Sequence, residues 1–277
     1  MKYLKLLFAF VFILSLSSCS ITERMIVNEN GSGKFAYEID GSKMISMLGN
    51  ALKDDKKESK KKKKRNKEVE RESKDIDSTF TFKEMFASKK DSIAQLPLEQ
   101  QEKIKKMENF SVHMVVNEEK GIMNYTMFTE FNSIQELQDV MSPINSMKSL
   151  TPAGSSAMGA NSGIPEDDSS TKFFYDGKTF SKIVSKKEKK IEEVSKEEPS
   201  KDYDSSEEEI AKNMKESMNM FYDQSSFKVV YQFPKAVKKV SIANALYSED
   251  RKTITIEYPL KEYMESPQKL NMEIDFE

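Results

Sequence analysis

Tryptophan is absent from this 277-residue chain, and histidine and cysteine occur once each, as His113 and Cys19. One cysteine cannot close an internal disulfide, so core packing must hold the fold together. One histidine and one cysteine cannot supply a zinc-binding set either. His113 alternates with Val112 and Met114 as a strand residue does, and no G-x-S-x-G elbow exists to partner it as a serine hydrolase. It reads as a structural histidine on a strand face. Long hydrophobic runs are missing too, the longest being the nine residues 6–14 (LLFAFVFIL). Nine residues of helix rise about 14 Å against a hydrocarbon core of about 30 Å, so no segment is expected to span a membrane. Carboxylates abound, but in a chain that is 32% charged a pair of them identifies no glycosidase-type chemistry. The expectation is a protein that is not an enzyme and uses no cofactor.

The amino end is rich in signals. Lys2 and Lys5 precede the apolar run 6–14, and Ser15-Leu16-Ser17-Ser18 forms a small-residue exit, the three parts of a secretory signal. The quartet Leu16-Ser17-Ser18-Cys19 resembles the lipobox of bacterial lipoproteins. That resemblance implies that residues 1–18 are a cleaved signal peptide. Cys19 then carries the diacylglycerol anchor and the palmitate-type acyl chains, and becomes the first residue of the mature protein. The alternative is an ordinary signal peptide that leaves Cys19 as a free thiol. Ser20 is not the aspartate of an inner-membrane retention signal, and Ser20-Ile21-Thr22-Glu23 lacks the acidic cluster of surface-exported Bacteroidota lipoproteins. The implied address is the cell envelope, on the periplasmic face of the outer membrane.

Without Lys2 and Lys5 the 44 basic side chains fall to 42 against 46 acidic ones, a net charge of −4. That near balance is uneven along the chain. Residues 53–74 (KDDKKESKKKKKRNKEVERESK) hold 12 basic and 6 acidic groups, whereas residues 75–277 are net −9. Three segments have too little apolar surface to offset the entropy of ordering them: the basic run 53–74, the Gly/Ser/Ala/Pro-rich stretch 149–171 and the charged stretch 186–206. They are expected to be mobile inserts in a single domain spanning residues 19–277.

The remaining segments mix two periods. Alternating residues at 24–27 and 34–39 flank Asn28-Glu29-Asn30-Gly31-Ser32-Gly33, which predicts a hairpin. Met44, Ile45, Leu48 and Leu52 predict a helix after Ser42. A second hairpin is expected over 110–116 and 123–131, then a helix over 134–141 ended by Pro143. Strands are expected at 227–233, 237–246, 253–258 and 270–276, and helices at 97–108 and 207–222. Met25-Ile26-Val27-Asn28-Glu29 recurs as Met114-Val115-Val116-Asn117-Glu118, with Gly33 and Tyr37 matched by Gly121 and Tyr125. Residues 247–264 read as a degenerate third copy. The expected fold class is therefore α+β: an antiparallel sheet of repeated β-hairpin–helix units, helices on one face, with disordered charged inserts.

The 28–33 hairpin, YEIDGSKMISM at 37–47, KDSIAQLPLEQQEKIKKMENF at 90–110, and the stretch from Tyr231-Gln232-Phe233-Pro234 to Tyr258-Pro259 together resemble a family of Bacteroidota envelope lipoproteins, over nearly the whole mature chain. The Phe-Pro-x-x-Val pattern is similar, more loosely, to mycobacterial LppM-type lipoproteins, for which lipid binding is implied. Asp77-Ser78-Thr79 and Asp91-Ser92-Ile93 are similar to the O-glycosylation triplets of Bacteroidota.

Other motifs dissolve on inspection. Gly31-Ser32-Gly33-Lys34-Phe35-Ala36 fits a dinucleotide fingerprint in letters, but a strand rather than a helix is expected after it, so it reads as a turn. Residues 202–209 lack the central glycine and ligand spacing of a calcium loop. Met214 and Met218, with Met220 nearby, place soft thioethers on one helix and raise a copper(I) site as an alternative. With 17 methionines and no tryptophan, however, methionine serves as the general core filler. Lys60, Lys61, Lys62, Lys63, Lys64 and Arg65 head a basic run without interleaved aromatics, so nucleic acid is not the expected partner. Close to an anchor, such a run can attach to anionic lipid; its bland alternative is a solvated linker. The expected function is a membrane-anchored envelope lipoprotein acting as a non-enzymatic binding module. It would bind membrane lipid through acylated Cys19 and a protein or lipid partner through its domain. The alternative is a carrier of a small ligand, lipid or copper(I), in a Met/Phe-lined cavity.

Overall fold

The computed structural model describes residues 20–42, 75–87, 89–117, 119–138, 169–186, 216, 219–220 and 222–277. Twelve strands form two sheets among these residues: β1 Ser20–Val27, β2 Gly33–Asp40, β3 Ile76–Thr81, β4 Ser111–Asn117, β5 Ile122–Phe131, β6 Ser169–Tyr175, β7 Thr179–Lys186, β8 Ser226–Gln232, β9 Val237–Val240, β10 Leu246–Tyr247, β11 Thr253–Pro259 and β12 Met272–Phe276. Four helices lie wholly among the described residues: α1 Phe82–Ala87, α2 Lys90–Ala94, α3 Leu98–Met107 and α4 Leu260–Glu265. The class is α+β, as the sequence predicts, and the sheets are largely antiparallel. β1 and β8 run parallel at the middle of the larger sheet.

The larger sheet has the order β10-β11-β8-β1-β2-β5-β4-β3, and the smaller one β6-β7-β12-β9. Strand alternation sorts the larger sheet into a dry face and a wet face. Ile254 and Ile256, Phe227 and Val229, Ile21 and Met25, Phe35 and Ile39, Met127 and Val112 all point to the dry face and are buried. Each large apolar side chain removed from water there stabilises the fold by about 1.5–3 kcal/mol. The wet face carries ion pairs between neighbouring strands: Arg24 with Glu38, Lys34 with Glu130, and Lys228 with Glu257. These are exposed, and such pairs contribute at most about 1 kcal/mol each.

The second sheet is the main feature that sequence reading did not anticipate. It covers the dry face where helices alone were expected. Phe173 meets Phe35, Phe180 meets Tyr231, and Phe276 meets Phe233 across the interface, with ring centroids 4.8–5.9 Å apart. Helices still contribute to that core, through Phe82 of α1, Met107 of α3, and Leu260 and Tyr263 of α4. Tyr263 stacks on Phe227 at 4.1 Å. At the start of α1, Thr81 and Glu84 form a reciprocal capping box, the Thr81 amide donating to Glu84 and the Glu84 amide to the Thr81 hydroxyl.

Most predicted strands fall where alternation places them, within two residues. Two do not. β1 starts at Ser20, four residues before the expected 24–27. The stretch 237–246 breaks after Val240, because β9 joins the small sheet while β10 pairs with β11 in the large one. Ser169, Ser170 and Thr171, placed by sequence in a mobile insert, instead begin β6, their backbones paired with Lys186, Ser185 and Val184. Lys186, the first residue of the third proposed insert, likewise ends β7; the rest of the three inserts lies outside the described residues, as does the helix expected after Ser42. Ile134–Leu137 is a 3-10 turn, and 139–141 lie outside the described residues. Of the helix expected over 207–222, the described residues Glu216, Asn219, Met220 and Tyr222 are helical.

The Asn28–Gly33 segment is the expected turn, and strand β2 follows it. Gly31 adopts φ +80°, and the Asn30 side chain accepts from the Ser32 amide. Gly33 is required for another reason: a Cβ there would lie 1.9 Å from the Ile26 carbonyl oxygen. Its sequence counterpart Gly121 instead has φ +63° and open space around it. The β1–β2 and β4–β5 hairpins lie side by side through the β2–β5 pairing, so their turns point to opposite ends of the sheet.

Candidate functional site

Two places concentrate chemistry. The first is sealed between the sheets. Glu23 on β1 and Lys182 on β7 are 2% and 1% exposed, and the Lys182 ammonium lies 2.7 Å from both Glu23 carboxylate oxygens. The Tyr231 hydroxyl donates a short hydrogen bond to the same carboxylate. The Lys182 Nζ also sits 5.7 Å from the Phe173 ring centre and 5.9 Å from that of Tyr231. The pair is bidentate and charge-assisted, and the aromatic rings flank its ammonium group. Its chemical role is to fix one sheet over the other, since sliding β1 by one residue would turn Arg24 into the aromatic interior.

Burial and the neighbouring Glu23 carboxylate push the Tyr231 pKa well above the ordinary phenol value. A raised folded-state pKa gives stability that is complete below the unfolded phenol value of about 10 and is lost as pH rises beyond it. Denaturant titrations should therefore give a flat stability from neutral pH to about 10 and a decline above that. Burial shifts Tyr222, Tyr175 and Tyr258 in the same direction. Tyr231→Phe should consequently shallow the alkaline decline without abolishing it; an unchanged slope would show that this hydroxyl is not sealed.

The second place is the end of the large sheet where β1 begins. Ser20 pairs with Ser226, Pro259 pairs with Ser226, and Asp40 pairs with Asn124, so β1, β8 and β5 begin at this end while β2 and β11 finish there. β3 starts and β4 finishes at the same end, at Ile76 and Asn117. An open depression of about 250 Å³ lies here among Ser20, Thr22, Glu38, Asp40, Asn124 and Thr126. A second, of about 370 Å³, is lined by Asn219, Tyr222, Asp223, Lys261, Met264 and Glu265.

Of the residues singled out in the sequence, Cys19, Lys60–Arg65, Met214 and Met218 lie outside the described residues. Met220 is half exposed on its helix. His113 projects from the wet face and pairs with Asp77 at 3.0 Å, the two side chains being 42% and 79% exposed. Ser78 and Ser92 of the two triplets are exposed, on β3 and α2. Among the described residues no group of three or more His, Cys, Asp or Glu could hold a metal ion. No helix among them is long and apolar enough to cross a membrane.

Sequence reading missed the Glu23–Lys182–Tyr231 cluster, although a signal existed. Glu23 occupies an apolar-face position between Ile21 and Met25, and Lys182 one between Phe180 and Val184. A lone charge on the dry side of an alternating strand, once in each of two strands, is the pattern of a buried pair. Their separation of 159 positions in the chain concealed the pairing. No protein family, curated protein or solved structure matches the chain.

Proposed function

We propose that the chain is an envelope lipoprotein held to its membrane by acylated Cys19, and that its β-rich domain is a non-enzymatic binding module for a protein or lipid partner. One observation carries the first half: β1, inside the large sheet, begins at Ser20, the residue after Cys19. Cleavage before Cys19 therefore removes nothing from any described strand. The lipobox-like quartet supplies the chemistry, and the resemblance to Bacteroidota envelope lipoproteins supplies the compartment. Reading the β1–β2, β4–β5 and β10–β11 hairpins as repeats of one hairpin–helix unit belongs to the same proposal, α4 following the third directly.

The second half rests on how the apolar side chains are spent. Phe35, Phe82, Phe173, Phe180, Phe227 and Phe233 are fully buried core, and the two depressions at the Ser20 end are open and lined in part by charged groups. Phe174 and Ile183 instead stand exposed on the outer face of the small sheet, and Leu246 and Tyr247 on the edge strand of the large one. Exposed apolar pairs beside a filled interior favour a docking partner over a carried ligand. The anchor is tested by Cys19→Ser, which should leave the protein as uncleaved precursor or release it from membranes, with loss of the acyl mass from the amino-terminal peptide. Normal processing and membrane retention of that variant would remove the proposal.

A further inference from the structure

The structure assigns the Ser20 end of the large sheet as the face held against the bilayer, with no spacer between lipid and folded domain. The inference rests on the acylated Cys19 of the proposed function and adds which surface meets the membrane. A flexible tether between anchor and domain would let the domain tumble. Here none is available: Ser20 is already paired to Ser226, and Ile21 is buried between Ile39 and Phe227. A chain bonded to lipid at residue 19 and locked into a sheet from residue 20 carries that sheet end at headgroup depth. β1 is eight residues long, so its far end stands roughly 25 Å further from the lipid if the strand is upright. The rim composition fits a headgroup contact rather than insertion. Exposed Asp40, Asp75, Asp223 and Glu265, with Lys120 and Lys261, leave it mainly polar among the described residues, with exposed Ile76 at the start of β3. The β1–β2 turn and the 234–236 and 248–252 turns lie at the opposite end and face away from the membrane.

Because Cys19 is the only cysteine and is consumed by acylation, any introduced cysteine becomes the sole free thiol. Lys120→Cys places a fluorophore on the rim, in the β4–β5 turn, and Glu29→Cys places one in the β1–β2 turn at the far end; both positions are exposed. In the full-length acylated protein reconstituted into vesicles, a short-range quencher attached to lipid headgroups should dim the Lys120→Cys label several-fold more than the Glu29→Cys label. Intact-mass measurement on the same samples reads acylation separately. Equal or reversed quenching with the acyl mass present overturns the orientation and leaves the anchor standing. Absence of the acyl mass overturns the anchor, and the orientation with it.

Discussion

Lys182→Met is expected to destabilise the domain by about 3–5 kcal/mol, because it leaves the Glu23 carboxylate in an aromatic interior without its cation, hydrogen-bonded by Tyr231. A domain of this kind has about 5–15 kcal/mol in total, so the variant approaches the threshold of unfolding. The stabilising worth of the pair is a different quantity from the penalty of breaking it. Removing both charges together, as Glu23→Leu with Lys182→Met, is expected to recover most of the loss, since a buried ion pair and an apolar pair of similar volume are often near parity. The recovery stays incomplete while the Tyr231 hydroxyl lacks its acceptor, a deficit of about 1–3 kcal/mol that Tyr231→Phe in the same background should remove. With no tryptophan in the chain, denaturant unfolding is best followed by circular dichroism. A Lys182→Met variant within about 1 kcal/mol of the parent would mean that water reaches the pair.

Deleting residues 53–74 should abolish binding to anionic vesicles and leave the fold intact. The structure sharpens this expectation in two ways. Chain leaves the large sheet after Asp40 and returns at Ile76, and both positions are at the Ser20 end, so the run is attached to the side where the anchor would place the lipid. Closing the gap is also easy. β2 and β3 are three strand spacings apart in the order β2-β5-β4-β3, about 14 Å, while the ten residues 43–52 that remain can reach about 33 Å. The run is net +6, and each basic group near an anionic surface contributes up to about 1 kcal/mol. Even at half that value the six net charges amount to about 3 kcal/mol, roughly a hundredfold in partitioning. Protein lacking residues 1–19, so that the acyl chains do not dominate, should bind vesicles at about 0.1 M salt and release near 1 M, as the Debye length falls from about 10 Å to about 3 Å. Unchanged binding after the deletion would make the run a solvated linker. Unfolding after it would mean that the segment helps to build the domain.

Alternation of apolar residues is a local property, and it was enough to place the second half of β1, together with β2, β4, β5, β8, β11 and β12, and to class the protein as α+β, because a strand with one dry face must write that face into its own sequence. The turn at Asn28–Gly33 and the helix over α3 were legible for the same reason: each depends on residues within a few positions of one another. β3, β6 and β7 were not legible. IDSTFT and SSTKFFY are short, polar and flanked by charge, and they become strands because β4 and β7 offer them backbone partners. The tertiary structure alone decided that a second sheet covers the first, that the chain changes sheet between Val240 and Leu246, and that Glu23 and Lys182 neutralise each other indoors. Those outcomes depend on which distant strands meet, and contacts across 159 residues leave no spacing for a local pattern to record.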